Sequence, residues 1–235
     1  MIVETMSYKE LCREYDRIHE KYYLRAEKRL SIGGDDYNLI RRYMIKHRTQ
    51  QNVLGKPLTF KVDNNTTFYA VPVISDYRTF CNIGPCAITF LTYNLGGGLN
   101  AIIRGGSNDN QYAFIRPHFF DRYIERFKDD EISKTKAIVE FITNNTVFIV
   151  KPYPTEKHPN NMIGSINDVI YFCEMPSDNI TIIKTCITRE QLKGSQTEIA
   201  QELDGLVDSM DEAREKLLEM LVNNRNNPRI HIPYY

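Results

Sequence analysis

The chain predicts an α+β fold: a central antiparallel β-sheet with helices packed on it, and helical flanks at both termini. Three observations carry this. Residues 7–50 place apolar side chains at three- and four-residue steps, the helical period. From Pro57 the period falls to two, in β-branched and aromatic runs. Two short amphipathic patterns interrupt these runs between residues 116 and 143, and a longer one starts at Ser195. No internal repeat or low-complexity linker divides the 235 residues. The expectation is one structural unit: a helical segment 1–56, a sheet domain 57–190, and a C-terminal helix and tail 191–235.

The elements follow in order. Tyr8, Leu11, Cys12, Tyr15, Ile18, Tyr22 and Ala26 mark a first helix from Ser7 to about Arg29, with Ser7 and Glu10 forming a capping box. Gly33-Gly34-Asp35-Asp36 breaks it. A second helix spans about Tyr37 to Gln50, with Leu39, Ile40, Tyr43, Met44 and His47 on its apolar side and Arg41, Arg42, Lys46 and Arg48 as a local basic set. Such a set can touch phosphate, although a solvated surface is its commoner role. Strands are expected at Leu58–Val62, Thr66–Val73, Cys86–Tyr93, Leu99–Arg104 and Gln111–Ile115. Asn94-Leu95-Gly96-Gly97-Gly98 supplies hairpin chemistry. That glycine run opens no helix and lacks a following Lys-Ser or Lys-Thr, which weighs against a nucleotide loop. A helix over Ser133–Thr143 precedes strands at Thr146–Tyr153, Asp168–Met175 and Ile180–Thr188. From Ser195, the residues Ile199, Leu203, Leu206, Met210, Ala213, Leu217 and Met220 keep heptad-like spacing. They suit packing along the chain's own domain or self-association through residues 195–222.

Composition narrows the function classes. Hydrophobic residues make up 42% of the chain, enough for a substantial core, and Tyr and Phe supply bulk where Trp is absent. Thirty cations balance thirty carboxylates, which disfavours coating of nucleic acid along a long track but not a compact phosphate site. Five cysteines, an odd number in mostly apolar contexts, read as reduced thiols, and Cys81 with Cys86 lacks the second ligand pair of a zinc site. No leader-like start or bilayer-length apolar run is present, so a soluble, cytoplasmic protein is expected.

The most informative stretch is Arg116–Phe127. Pro117 suits a first helical position, where its missing N–H costs nothing. Phe119, Phe120, Tyr123, Ile124 and Phe127 fall on one face; His118, Arg122 and Arg126 fall on the other, at i, i+4 and i+8. A proton carrier and two permanent cations thus stand in a row that starts where free N–H groups favour an anion. The competing role is a solvated top in which Arg122 pairs with Glu125 or Asp121.

The order strand, His-x-x-x-Arg-x-x-x-Arg helix, second helix, then strands ending in Ile182-Ile183-Lys184-Thr185-Cys186-Ile187-Thr188 resembles the RelE- and barnase-type ribonuclease-toxin superfamily. It is nearest to phage- and plasmid-borne domains of that group, and covers about residues 111–189. Phe119-Phe120 departs from the small residue usual after the histidine, and residues 1–110 have no counterpart. The resemblance implies metal-independent, cofactor-free endoribonuclease chemistry, in which a ribose 2′-OH attacks the neighbouring phosphorus. His118 would move the proton and Arg122 would clamp phosphoryl oxygens. Arg126 would extend the clamp, and Thr185 or Thr188 would donate from the facing strand. These threonines are three apart, so their side chains oppose and only one can serve. Lys151 and His158 would reach the substrate from nearby, and Tyr153 would stack a base; for His158 an ordinary loop position competes. RNA is the expected partner, with an antitoxin protein as a second. The alternative is a non-catalytic module binding nucleic acid or protein, or an oligomeric accessory protein of a phage or mobile element.

Overall fold

Helix α1, Tyr8–Leu30, begins as its capping box requires. Ser7 Oγ accepts from the Glu10 amide, and the Glu10 carboxylate accepts from the Ser7 amide at 2.7 Å. The computed structural model describes residues 2–50, 53–105, 111–128, 132–144, 149–156, 158–166 and 168–206, together with Ser209. Helix α2, Asp35–Lys46, follows a tight corner. A Cβ on Gly34 would lie 2.3 Å from the Arg29 carbonyl oxygen, so the corner needs glycine. The second helix ends at Lys46, not Gln50, and only Met44 of its expected apolar side is buried.

The ten strands among the described residues join one sheet. Strands β1 (Val53–Leu54) and β2 (Leu58–Lys61) lie end to end along one edge of β3 (Thr66–Ile74). Next come β4 (Cys86–Leu95), β5 (Gly98–Arg104) and β6 (Tyr112–Ile115). The order continues through β10 (Ile180–Thr188), β9 (Val169–Ser177), β8 (Asn161–Ile166) and β7 (Val150–Pro152). The β4–β5 hairpin turns on Gly96 (φ +60°) and Gly97 (φ +76°), the left-handed pair of a two-residue turn.

The fold is α+β as expected, with a mostly antiparallel sheet that includes one parallel pair, β6 with β10. The chain leaves β6 and passes through α4 (Pro117–Phe127) and α5 (Lys134–Asn144). It then enters the far edge at β7 and meanders back, so β10 arrives beside β6 running the same way.

Three further elements differ from expectation. Helix α3, Tyr77–Ile83, falls where the sequence predicts no element; Asp76 caps it by accepting from the Thr79 amide at 2.8 Å. Strand β8, Asn161–Ile166, lies between two expected strands where the sequence predicts none. Strand β7 is shorter than expected, and residues 145–148 lie outside the described residues.

The sheet is covered on both faces. Helices α4 and α5 press Phe119, Phe120, Tyr123 and Phe141 onto one face, against Phe90, Ile115, Tyr171 and Ile183. On the other, α1 buries Tyr15, Ile18 and Tyr22 against Phe68, Leu91 and Phe114. Helical residues 195–206 share that second face, setting Ala200 and Leu203 on Ile163 and Ile170. Ile199 and Leu203 of the heptad-like pattern therefore pack on the chain's own domain, whereas Leu206 is exposed; Met210, Ala213, Leu217 and Met220 lie outside the described residues. Cys12, Cys173 and Cys186 are buried free thiols, whereas Cys81 and Cys86 are exposed. No helix among the described residues is long and apolar enough to cross a membrane.

Candidate functional site

Helix α4 forms as its spacing dictates. Pro117 stands in the first turn, and Phe119, Phe120 and Tyr123 are buried. Phe119 meets Phe141 of α5 with ring centroids 4.7 Å apart. Pro117 also seats on Gly98 of β5, where a Cβ would come within 2.5 Å of the proline ring. The buried face thereby locks the rotation of α4 and turns His118 outward.

The outer face is a row of alternating charge. His118 is exposed and has no hydrogen-bond or ion-pair partner among the described residues. Arg122, one turn on, is half-buried and bonds Glu125 at 2.6 Å. Lys134 from α5 pairs with Asp121. Arg126 turns inward and donates to the Cys186 carbonyl of β10. It therefore ties the helix to the sheet.

Strand β10 presents the two threonines as expected. Thr188 pairs in register with Val169 and Thr185 with Phe172. Val169 faces α4, whereas Phe172 packs on the opposite side. Thr188 therefore shares the side of α4 and Thr185 does not. Between them, Cys186 sits under α4 with its thiol against the Phe119 carbonyl, and burial pushes that thiol up to about 12. It is a packing group, not a nucleophile.

The expected substrate-binding residues lie elsewhere. Lys151 pairs with Glu202, and the Tyr153 hydroxyl accepts from Gln196 at 3.1 Å. Both engage helical residues 195–206, with the sheet between them and α4. His158 is exposed in a tight turn closed by the Thr155–His158 bridge. The structure thus sets His118 and Arg122 on the outer face of α4, turns Arg126 inward to β10, and puts Thr188 on the side of the sheet that α4 covers. It leaves Thr185, Lys151 and Tyr153 on the other face.

Sequence reasoning missed a polar cluster beneath α1. The Tyr112 hydroxyl meets both oxygens of Asp16, at 2.8 and 2.7 Å, with Arg104 3.5 Å from the same carboxylate. Nearby, His19 Nε2 lies 3.1 Å from Thr89 Oγ1, and its ring stacks between Tyr15 and Tyr23. Burial and the Arg104 charge lower the His19 pKa, while Asp16 opposes them. Contacts spanning 96 residues leave no local signal. At the start of α4, Arg116 also points away from His118, with its guanidinium on the Tyr8 ring and hydroxyl. No group of three or more His, Cys, Asp or Glu side chains suited to a metal ion occurs among the described residues.

No family model, curated protein or solved structure matches this chain.

Proposed function

We propose that the outer face of α4 binds an RNA phosphate and that His118 moves the proton in metal-independent endonucleolytic cleavage. The 2′-oxygen attacks phosphorus and the P–O5′ bond breaks. The products are a 2′,3′-cyclic phosphate and a 5′-hydroxyl end. One proton leaves the 2′-OH and one reaches the leaving oxygen, so a single imidazole can shuttle between them. The observation that carries this function is the exposed imidazole in the first helical turn, one turn from Arg122 and without a partner among the described residues. The order β6-α4-α5 followed by the four-strand β7–β10 meander supports it, because the resemblance implies that order. Arg122 would exchange Glu125 for a phosphoryl oxygen, a small cost for an exposed pair. Arg126 acts as a positioning residue through Cys186, and Thr188 is the threonine on the correct side.

Purified protein incubated with total RNA in EDTA tests this. Wild type should yield cyclic-phosphate ends, and His118→Ala should lower the rate by about 100-fold or more, the usual worth of a proton-transfer group. Intact RNA with both proteins rejects cleavage.

A second function, binding without turnover, draws on the carboxylates of Asp121 and Glu125, which interrupt the cationic row. It predicts RNA or protein capture that survives His118→Ala and weakens with Arg122→Ala.

A further inference from the structure

We infer that the cavity between the C-terminal ends of α1 and α3 binds a small organic cation, with its ammonium group at Glu27 and its apolar body against Tyr23 and Tyr37. The cavity holds about 690 Å³, a size suited to a small molecule. Tyr23 and Glu27 of α1 line it, with Tyr37 of α2, Phe80 and Cys81 of α3, and Cys86 at the start of β4.

The wall carries a single charged side chain, and it is negative. Glu27 is exposed and has no ion-pair partner among the described residues. Among those residues no Lys or Arg lines the cavity. Of the two cations in the last turn of α1, Arg29 is held by Asp36 and Lys28 stays outside the wall. Arg41 enters only an adjoining recess beyond Tyr37 and Phe80.

Two helix ends add to this field. Helix α1 runs for 23 residues and finishes at Leu30, and α3 finishes at Ile83; residues from both last turns line the cavity. A helix C-terminus carries partial negative charge, on carbonyls that have no partner within the helix. His19, whose ring stacks on Tyr23, adds no opposing charge at neutral pH. Burial first, and then the Arg104 charge, lower its pKa, while Asp16 opposes them.

The rest of the wall fits the body of such a ligand. Tyr23 is 36% exposed and Ile32 86%, so the fold leaves both uncovered at the cavity. Tyr37 is held in place by stacking on Phe80, with ring centroids 5.2 Å apart. Burial first, and then the Glu27 charge, raise the Tyr23 pKa, so its ring stays a neutral phenol. The faces of neutral phenol rings are negative and attract an ammonium group. An anion would be repelled by Glu27, by the helix ends and by the ring faces alike. A bare metal ion lacks ligands, because no three-ligand group occurs among the described residues.

The cavity uses neither α4 nor His118, and its test is separate from the cleavage assay. Phenethylammonium, 2-phenylethanol and phenylacetate share a phenyl ring and a short arm but differ in charge. Calorimetric titration of the full-length chain should show saturable binding of phenethylammonium. Binding of 2-phenylethanol should be weaker by about tenfold or more, and phenylacetate should not bind. Glu27→Gln should weaken the cation by about tenfold and leave the thermal midpoint of the free protein unchanged, because Glu27 is exposed. Cys81 and Cys86 report the location: both are exposed at the wall, whereas Cys12, Cys173 and Cys186 are buried. Phenethylammonium should slow the alkylation of Cys81 and Cys86 by iodoacetamide in the folded protein. Absence of saturable cation binding overturns the inference, as does an affinity order that the cation does not lead. Binding indifferent to Glu27→Gln, or binding that leaves both alkylation rates unchanged, overturns it equally.

Discussion

Gly164 illustrates how much one residue carries. It sits in β8 opposite Tyr171, whose ring lies over it. A Cβ there would fall 2.0 Å from Tyr171 Cζ, and Tyr171 is fully buried with its hydroxyl donating to the Ile149 carbonyl at 2.9 Å. Gly164→Ala should therefore cost about 1–3 kcal/mol through overpacking, read as a lower denaturation midpoint with an unchanged slope. The two arginines of α4 separate at the same scale. Arg122→Ala removes an exposed pair and should shift stability by no more than about 0.5 kcal/mol. Arg126→Ala removes the bond to the Cys186 carbonyl and should cost about 1–3 kcal/mol, in keeping with a positioning role.

Among the elements, helical residues 195–206 are held largely by polar contacts. Ala200 and Leu203 give them a small apolar footing, and the rest is a clip. Arg189 bonds both oxygens of Asp204 at 2.7 and 2.9 Å, and Ser165 donates to the same carboxylate at 2.8 Å. The Arg189 and Ser165 bonds hold the Asp204 pKa below its ordinary value. Arg189→Ala should release this element before the sheet. Amide exchange in residues 195–206 should speed up while the β9 and β10 amides keep their protection. Equal loss of protection in both would show instead that the helix and sheet open as one unit. Helix α1 differs: its long apolar stripe covers half of one sheet face, and its removal would uncover Phe68, Leu91 and Phe114 together.

At the scale of the whole molecule, His19 links stability to pH. Its folded pKa is depressed, first by burial and then by Arg104. The unfolded chain therefore binds the proton more readily, at the ordinary value of about 6.5. The stabilising contribution is present above that pH and is lost as pH falls towards the folded value. Thermal midpoints should drop on acidification below about 6.5, and His19→Gln should flatten that part of the profile. An identical slope in wild type and variant would place the sensitivity in another group.

What could be read from the sequence follows from what is local. The α1 capping box, the glycine hairpin, the proline start of α4 and its aromatic underside depend on neighbours within a few residues, so spacing alone determined them. That same locality put His118 and Arg122 on the outer face of α4, but the inward turn of Arg126 to the Cys186 carbonyl depends on β10. Strand β8 escaped because Gly164 and Ser165 look like loop residues until Tyr171 fills the space above the glycine. Helix α3, at seven residues, is too short to show a period. Only the tertiary structure decided the parallel β6–β10 pair, the sheet that separates Lys151 and Tyr153 from α4, and the Asp16–Tyr112 contact. It also decided that α2 leaves Leu39 and Tyr43 uncovered. Periodicity marks which side chains can be buried together; which surface arrives to bury them depends on contacts between residues far apart in the chain.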